Sequence, residues 1–335
     1  MAPADKAEGK RPDEFTLIEE VFAPLAADAP GAFALKDDAA LYRAGEGCET
    51  VLTVDAIVAG VHFLPDDPPE SVARKLLRVN LSDLAAKGAI PKGYLLVTAW
   101  ADETSLGWIR RFAGALLEDQ RRYGLALWGG DTVRTTGPLT LSLTAIGEVS
   151  AGAMLPRGGA LEGDDVYVSG ALGDAALGLE LLRGKLTGLG PEDADYLIRR
   201  YREPDPRSTL GPRLCGIASA ALDVSDGLLA DLGHICDASG KGARIERDRL
   251  PLSDAAKRAI ERDSSLFSFV AGGGDDYEIL FTAPAAMAGQ VKAAATESAV
   301  AVTKIGCISG AGEGVTLVDG SGRSIPLKQL GYRHF

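Results

Sequence analysis

Asp223-Val224-Ser225-Asp226-Gly227 sets two carboxylates and a hydroxyl within one pentapeptide, between the apolar run 218–222 and the amphipathic run 228–236. A strand that ends this way and turns into a helix aims oxygen ligands at one point. Hard cations such as Mg2+ take that donor set, with phosphate oxygens completing the shell. Alone, the pentapeptide reads first as an acidic turn capping a helix, because Ser and Asp are good N-caps. Recurrence raises the metal reading. Asp37-Asp38, Asp55, Asp83, Asp131 and Asp275-Asp276 also stand where a strand or helix is expected to end, several of them close to glycine, which lets backbone approach a ligand closely. Two bare carboxylates ~4 Å apart repel by ~4 kcal/mol at an effective dielectric near 20. A pocket gathering several of them therefore requires cations; if they do not converge, they are separate solvated turns.

Other chemistries find little support. The chain has no Gly-x4-Gly-Lys-[Ser/Thr] run and no glycine-rich kinase loop with a downstream His-Arg-Asp. Gly310-Ala311-Gly312-Glu313-Gly314 reads as a turn. Arg157, in Leu155-Pro156-Arg157-Gly158-Gly159, is a candidate phosphate fork, weighed against the ordinary reading of a loop arginine as a solvated charge. Of the three histidines, His62 and His234 read first as satisfied core residues and His334 lies at the terminus. No Ser-His-Asp arrangement follows. The four cysteines are scattered, without CxxC or zinc spacing, and read as reduced, buried or half-buried thiols of a cytoplasmic protein.

These residues need a scaffold. The 335-residue chain is 46% hydrophobic, has 41 glycines and few aromatics, and carries a net charge of -12. That suits an α/β protein with many tight turns and lacks the basic footprint of a nucleic-acid binder. Residues 1–14 are polar and charged, expected to be a disordered tail rather than a secretory signal. No apolar run approaches the ~20 residues of a membrane span.

Apolar spacing predicts helices over 15–25, with Phe15, Ile18, Val21, Phe22 and Leu25 on one face, and over 71–87 and 106–123. Strands are expected at 51–55, 94–100, 125–128 (cut off by Gly129-Gly130-Asp131) and 139–149. The texture changes near Ser150, which puts the domain boundary between 15–150 and 151–335. In the second half, strands are expected at 165–169, 243–246 and 277–282. Helices are expected at 173–182, 196–201, 228–238, 253–262 and 285–295, and a terminal β-hairpin over 305–327. Strands and helices alternate without a strict βαβ rhythm, so the expectation is two α/β domains with mixed sheets.

Taken in order, the motifs resemble the thiamine-monophosphate kinase family. The resemblance rests on Asp55 to Phe63, Asn80-Leu81-Ser82-Asp83-Leu84-Ala85-Ala86-Lys87-Gly88-Ala89, Gly129-Gly130-Asp131-Thr132, Leu222 to Ile235, and Gly331-Tyr332-Arg333-His334-Phe335. It implies the two-domain aminoimidazole ribonucleotide synthetase-like fold, with N-terminal domains paired in a homodimer. The implied reaction is Mg2+-assisted transfer of the ATP γ-phosphoryl group to thiamine monophosphate, giving thiamine diphosphate. Carried over, the Mg2+ ligands are Asp38, Thr53, Asp55, Asp83, Asp131, Asp223 and Asp226, with Asp55 and Asp226 central to catalysis. Gly130, Asp131, Arg157 and Ser225 lie at the nucleotide, and His62, Asp275 and Tyr332 at the thiamine phosphate. Three departures stand out. Ala34-Leu35-Lys36 replaces Gly-x-Gly before Asp37-Asp38, Val54 replaces a hydroxyl residue, and Asp275 stands where Glu is common. Among sister enzymes, selenophosphate synthetase needs an N-terminal reactive Cys, which residues 1–31 lack, and the hydrogenase-maturation relative ends in Cys, where this chain ends in His334-Phe335. Aminoimidazole ribonucleotide synthetase fits the motifs less well. A Mg2+-dependent phosphomonoesterase is the alternative from another class.

Overall fold

A computed structural model describes residues 12–326 and Gly331. The chain divides into two compact units. One comprises the described residues up to Leu84 together with Ile90–Ala151; the other comprises Ala85–Ala89 and the chain from Gly152 onward. The excursion Ala85–Ala89 includes the last residues of a helix, something no single linear boundary near Ser150 contains.

The first unit carries α1 (Glu14–Leu17), β1 (Cys48–Val58), α2 (Pro69–Ala86), β2 (Ile90–Trp100), α3 (Leu106–Tyr123), β3 (Ala126–Arg134) and β4 (Thr140–Ser150). Its sheet has the order β1-β4-β2-β3, antiparallel except for the parallel β2–β3 pair. Helix α3 begins and ends where local chemistry dictates. Ser105 Oγ accepts from the Trp108 N–H at 3.1 Å, and Gly124 closes the helix at φ 72°. Helices α2 and α3 meet the sheet through Asn80 to Asp55 and Tyr94 to Gln120. They are tied together by a buried two-pronged Arg78–Asp119 pair at 2.7 and 2.9 Å.

Two expectations for this unit are corrected. The first helix is only one α-turn, continuing as a wider turn over Ile18–Phe22 and a tighter one over Ala23–Ala26; Pro24 has no N–H with which to prolong regular α geometry. Its buried side is Leu17, Val21, Phe22 and Leu25, and Phe15 is 79% exposed. Strand β3 does not stop at Gly129 but runs through Gly129-Gly130-Asp131 beside β2. A Cβ on Gly130 would sit 1.9 Å from the Leu96 carbonyl oxygen, so glycine here permits close strand approach rather than a turn.

The second unit carries β5 (Asp165–Ser169), α4 (Asp174–Leu182), α5 (Pro191–Arg202), β6 (Ala220–Asp223), α6 (Leu228–Ser239), β7 (Gly242–Glu246), α7 (Asp254–Arg262), α8 (Phe267–Gly272), β8 (Ile279–Ala283), α9 (Ala288–Ser298), β9 (Val302–Ser309) and β10 (Val315–Val318). Its sheet has the order β10-β7-β9-β5-β8-β6. Strand alternation builds a core on each face. Val166, Val168 and Leu280 join Leu228, Leu232 and Ile235 of α6 on one side; Tyr167, Ile279 and Phe281 join Val291 and Ala294 of α9 on the other. The expected terminal hairpin is found only in part: the turn at Asp319–Gly322 is closed by an antiparallel bridge between Val318 and Ser324, but β9 and β10 do not pair, because β7 lies between them and pairs with β10 in parallel. Both sheets are mixed, as the irregular alternation of elements led us to expect.

Candidate active site

The residues singled out by the sequence fall into three groups. In the first, β1 presents Thr53 and Asp55 on the face that α2 covers. The Thr53 hydroxyl donates to Asp83 Oδ2 at 2.5 Å, and the Asp55 N–H donates to Asn80 Oδ1 at 3.1 Å. Asn80 Nδ2 is itself held by the Leu76 carbonyl at 2.9 Å, so α2 is pinned to β1 at the position that brings the acids together. Burial, and then the charge of Asp83, push the Asp55 carboxyl up to about 6. Such a pair is electrostatically frustrated without a cation. Val54 points the other way and is 61% exposed, so its missing hydroxyl takes nothing from the side-chain set. His62 closes the end of β1. Its Nδ1 accepts from the Val58 N–H at 3.1 Å, which puts the proton of the neutral ring on Nε2.

The second group lines a cavity of about 540 Å³ with Asp37, Asp38, Gly130 and Asp131, beside Leu95, Val97, Trp128 and Tyr42. Tyr42 stands edge-on to Trp128 at 5.2 Å. Strand register separates this group from the first. Asp55 belongs to the row Asp55–Leu143–Leu96–Gly130 and Asp131 to the row Ala56–Ser142–Val97–Asp131. Adjacent rows leave opposite faces of a sheet, so the two aspartates do not converge through it. The segment before Asp37 keeps a glycine-like backbone without the glycines: Phe33, Ala34 and Leu35 have φ of 49°, 54° and 57°. Lys36 pairs with Glu19 at 3.8 Å, both about three-quarters exposed.

The third group lies in the second unit. Strand β6 ends on Asp223, buried at 9% exposure, and the chain turns through Ser225 and Asp226 into α6. Gly227 is required there. Its φ is 124°, and a Cβ would meet the Gly272 backbone at 2.9 Å. The segment 272–278 packs onto this turn by backbone bonds from the Asp275 N–H to Ser225 O and from the Tyr277 N–H to Val224 O. Asp275 is thereby set beside Ser225 and Asp226, with Asp275 and Tyr277 at φ of 70° and 51°. The pair Asp275-Asp276 divides its labour. Asp276 is fully buried, raised well above the usual carboxylate range by that burial, and accepts from the Gly173 and Ala175 N–H groups at the start of α4. Asp275 stays at the turn, where its Oδ1 accepts from the Tyr277 hydroxyl at 3.2 Å. Arg157 is exposed on the loop before β5. Gly331 lies against Asp226 O and Ala230, while Tyr332 and His334 lie outside the described residues.

Two features escaped the sequence reading. His234 is exposed rather than a core residue, because it faces out from α6; its ring lies with Asp226 and Asp231 in a group whose ligand atoms are within 4.8 Å of one another. Asp231 holds the turn itself, accepting from the N–H groups of Ser225, Asp226 and Gly227 at 3.0 Å each. Burial and then the Asp226 charge push it up to about 7, against those three amides. An acid in the first turn of a helix was the available signal.

Comparison with known proteins matches residues 36–149 to the AIR synthase related protein N-terminal domain and residues 161–319 to the corresponding C-terminal domain. The chain is 42% identical over 327 residues to "Thiamine-monophosphate kinase" of Caulobacter vibrioides, covering 96% of this chain and 91% of the relative. The crystal structure of thiamine-monophosphate kinase from Stenotrophomonas maltophilia K279a superposes with a TM-score of 0.78 at 41% identity, over 87% of this chain and 91% of that one. A structure described as "AaThiL complexed with AMPPCP and TMP" superposes with a TM-score of 0.77 at 30% identity, over 98% and 99%. With both of its domains matched and relatives of this identity spanning almost its whole length, this chain belongs to the thiamine-monophosphate kinase family of AIR synthase related proteins.

Proposed function

We propose that this chain phosphorylates thiamine monophosphate with ATP, giving thiamine diphosphate and ADP. The observation that carries the reading is the Thr53–Asp55–Asp83 group, two carboxylates and a hydroxyl brought together and left with a raised acid, in a family whose relative binds AMPPCP and TMP. The donor set is oxygen only, which fits Mg2+. Thr53, Asp55 and Asp83 would hold Mg2+ on one face of the first unit's sheet, Asp38 and Asp131 would form a separate set on the other face, and Asp223 and Asp226 would form a set of their own in the second unit. Mg2+, when bound, supplies neutralisation of two phosphate groups that otherwise repel.

The rest falls to the chain's own residues. A new bond forms from a phosphate oxygen of thiamine monophosphate to the γ-phosphorus, and the bond to the β-phosphate oxygen breaks, releasing ADP. The attacking oxygen is already ionised near pH 7, so the site needs positioning and charge stabilisation rather than a strong base. His62, whose Nδ1 accepts from the Val58 N–H at 3.1 Å, is assigned to the thiamine phosphate. Ser225, Gly130 and Arg157 are assigned to the nucleotide, and Asp275, with Tyr332, to the thiamine end, where a cationic thiazolium favours an acidic and aromatic surround.

A homodimer is proposed from the family resemblance, and the sheet face of the first unit leaves Leu52 and Val54 64% and 61% exposed. Among the described residues no helix is long and apolar enough to cross a membrane. A cytoplasmic setting follows from the use of ATP and is in keeping with the free thiols. The deciding assay incubates the protein with ATP, Mg2+ and thiamine monophosphate and separates the products. Thiamine diphosphate and ADP in equal amounts are expected. Free phosphate without the diphosphate would indicate a phosphomonoesterase and overturn the reading.

A further inference from the structure

We propose that Asp231 is a positioning residue that sets the metal-facing turn of the second unit, a role resting on the phosphoryl-transfer reading. The first amides of a helix lack intrahelical partners and form a ready anion site. At α6 that site is filled from within. Asp231 Oδ2 accepts all three N–H groups of Ser225, Asp226 and Gly227 at 3.0 Å, from a side chain only 4% exposed. The Asp231 N–H in turn donates to the Gly227 carbonyl at 3.0 Å, closing the turn in both directions.

Two consequences follow. The amides are unavailable to a phosphate, so a nucleotide meets this turn through the side chains of Ser225, Asp223 and Asp226. The backbone that aims those side chains is also fixed before any ligand arrives. A second anchor acts on the same turn from the other side, since the Asp275 N–H donates to Ser225 O at 2.9 Å. The turn therefore carries the Asp226 carboxylate on one side and the thiamine-facing Asp275 on the other. Orientation of this kind is where a small displacement costs most in rate, and groups that orient metal ligands typically matter about 10–100-fold in affinity or activity.

The test is Asp231→Asn in the full chain, which keeps the shape and one acceptor oxygen but removes the charge. Three readouts are taken: amide exchange over 224–228, calorimetric titration with Mg2+ alone, and steady-state kinetics against Mg2+ and thiamine monophosphate. Faster exchange confined to the turn is expected. So are Mg2+ binding weakened about tenfold or more and a half-saturating Mg2+ concentration raised to match. Faster exchange with unchanged Mg2+ binding would make Asp231 a structural cap and overturn the proposal; unchanged exchange would overturn it as well. Should the Asn variant fail to fold, Asp231→Glu keeps the charge, displaces the turn by one methylene, and is read the same way. The calorimetric arm needs no turnover, so an inactive wild-type protein would sink the kinase reading while leaving the positioning role to be decided by Mg2+ binding.

Discussion

Glu278→Gln tests how the thiamine-facing loop is held. Glu278 is fully buried, and its carboxylate accepts four hydrogen bonds: from Ser169 Oγ at 2.6 Å, Arg200 Nη2 at 2.9 Å, and Arg207 Nε and Nη2 at 2.6 and 2.5 Å. Arg200 Nη2 also donates to the Asp276 carbonyl at 3.1 Å, so the same cluster fixes the backbone that keeps Asp275 and Tyr277 left-handed. Glutamine removes the charge facing two guanidiniums and turns an NH2 toward other donors. Breaking a buried pair by removing one partner costs about 3–5 kcal/mol. Arg207 retains 15% exposure, which favours the lower end. A loss of ~3 kcal/mol lowers the folded-to-unfolded ratio of the second unit by about two orders of magnitude and its Tm by ~6–12 °C for a unit of this size. Scanning calorimetry measures the Tm, and kinetics on the folded fraction should show a raised KM for thiamine monophosphate. The pair of the half-exposed Arg258 with Asp193 is the control: Arg258→Ala should lower the Tm far less than Glu278→Gln does. A Tm drop below ~2 °C in Glu278→Gln, with KM unchanged, would refute the claim that this cluster holds the loop.

Three further outcomes are expected. Asp226→Asn should abolish thiamine diphosphate formation while leaving circular dichroism and Tm close to wild type; near-normal activity would remove Asp226 from the site. Gly130→Ala should destabilise the first unit by ~1–3 kcal/mol in a denaturant titration, because its Cβ meets the Leu96 carbonyl at 1.9 Å, whereas Gly129→Ala, 3.4 Å from Leu95 Cδ2, should be tolerated. Glu148 is held below its usual 4.5 by the Tyr42 hydroxyl, then by the Gly45 amide and Lys92. With the folded value depressed, the unfolded chain binds more protons, so this contribution is complete above about 4.5 and is lost as pH falls through the folded value. Wild type and Glu148→Gln should therefore differ in Tm at pH 7 and converge on acidification; a constant difference would refute the assignment.

Regular elements were legible where local chemistry decides them. Ser105 and Gly124 bound α3 at the residues their types predict, and β5 begins and ends as its apolar run does. Apart from the first helix, broken locally at Pro24, and His234, which faces out from α6, the main misreadings arise where a residue serves a partner distant in sequence. Gly130 looked like a strand terminator because its reason, the Leu96 carbonyl, lies on another strand. A pairing of β9 with β10 was inferred from adjacency, but β7 inserts between them, and pairing order is not written in either segment. Asp275-Asp276 read as one acidic motif until the fold buried Asp276 against the start of α4 and left Asp275 at the turn.

By itself, the sequence determined which atoms are available: an acidic, oxygen-rich donor set without a general-base histidine, an α/β chain to carry it, and an order of motifs that marks the family. Those are properties of residue type and spacing, set before any folding. Only the tertiary structure decided how the donors group. Strand alternation places Asp55 and Asp131 on opposite faces, α2 delivers Asp83 to Thr53 across 30 residues, and Asp231 converts an open helix start into a fixed turn. Such groupings depend on register and on contacts far apart in the chain, where one residue of slip reverses a face.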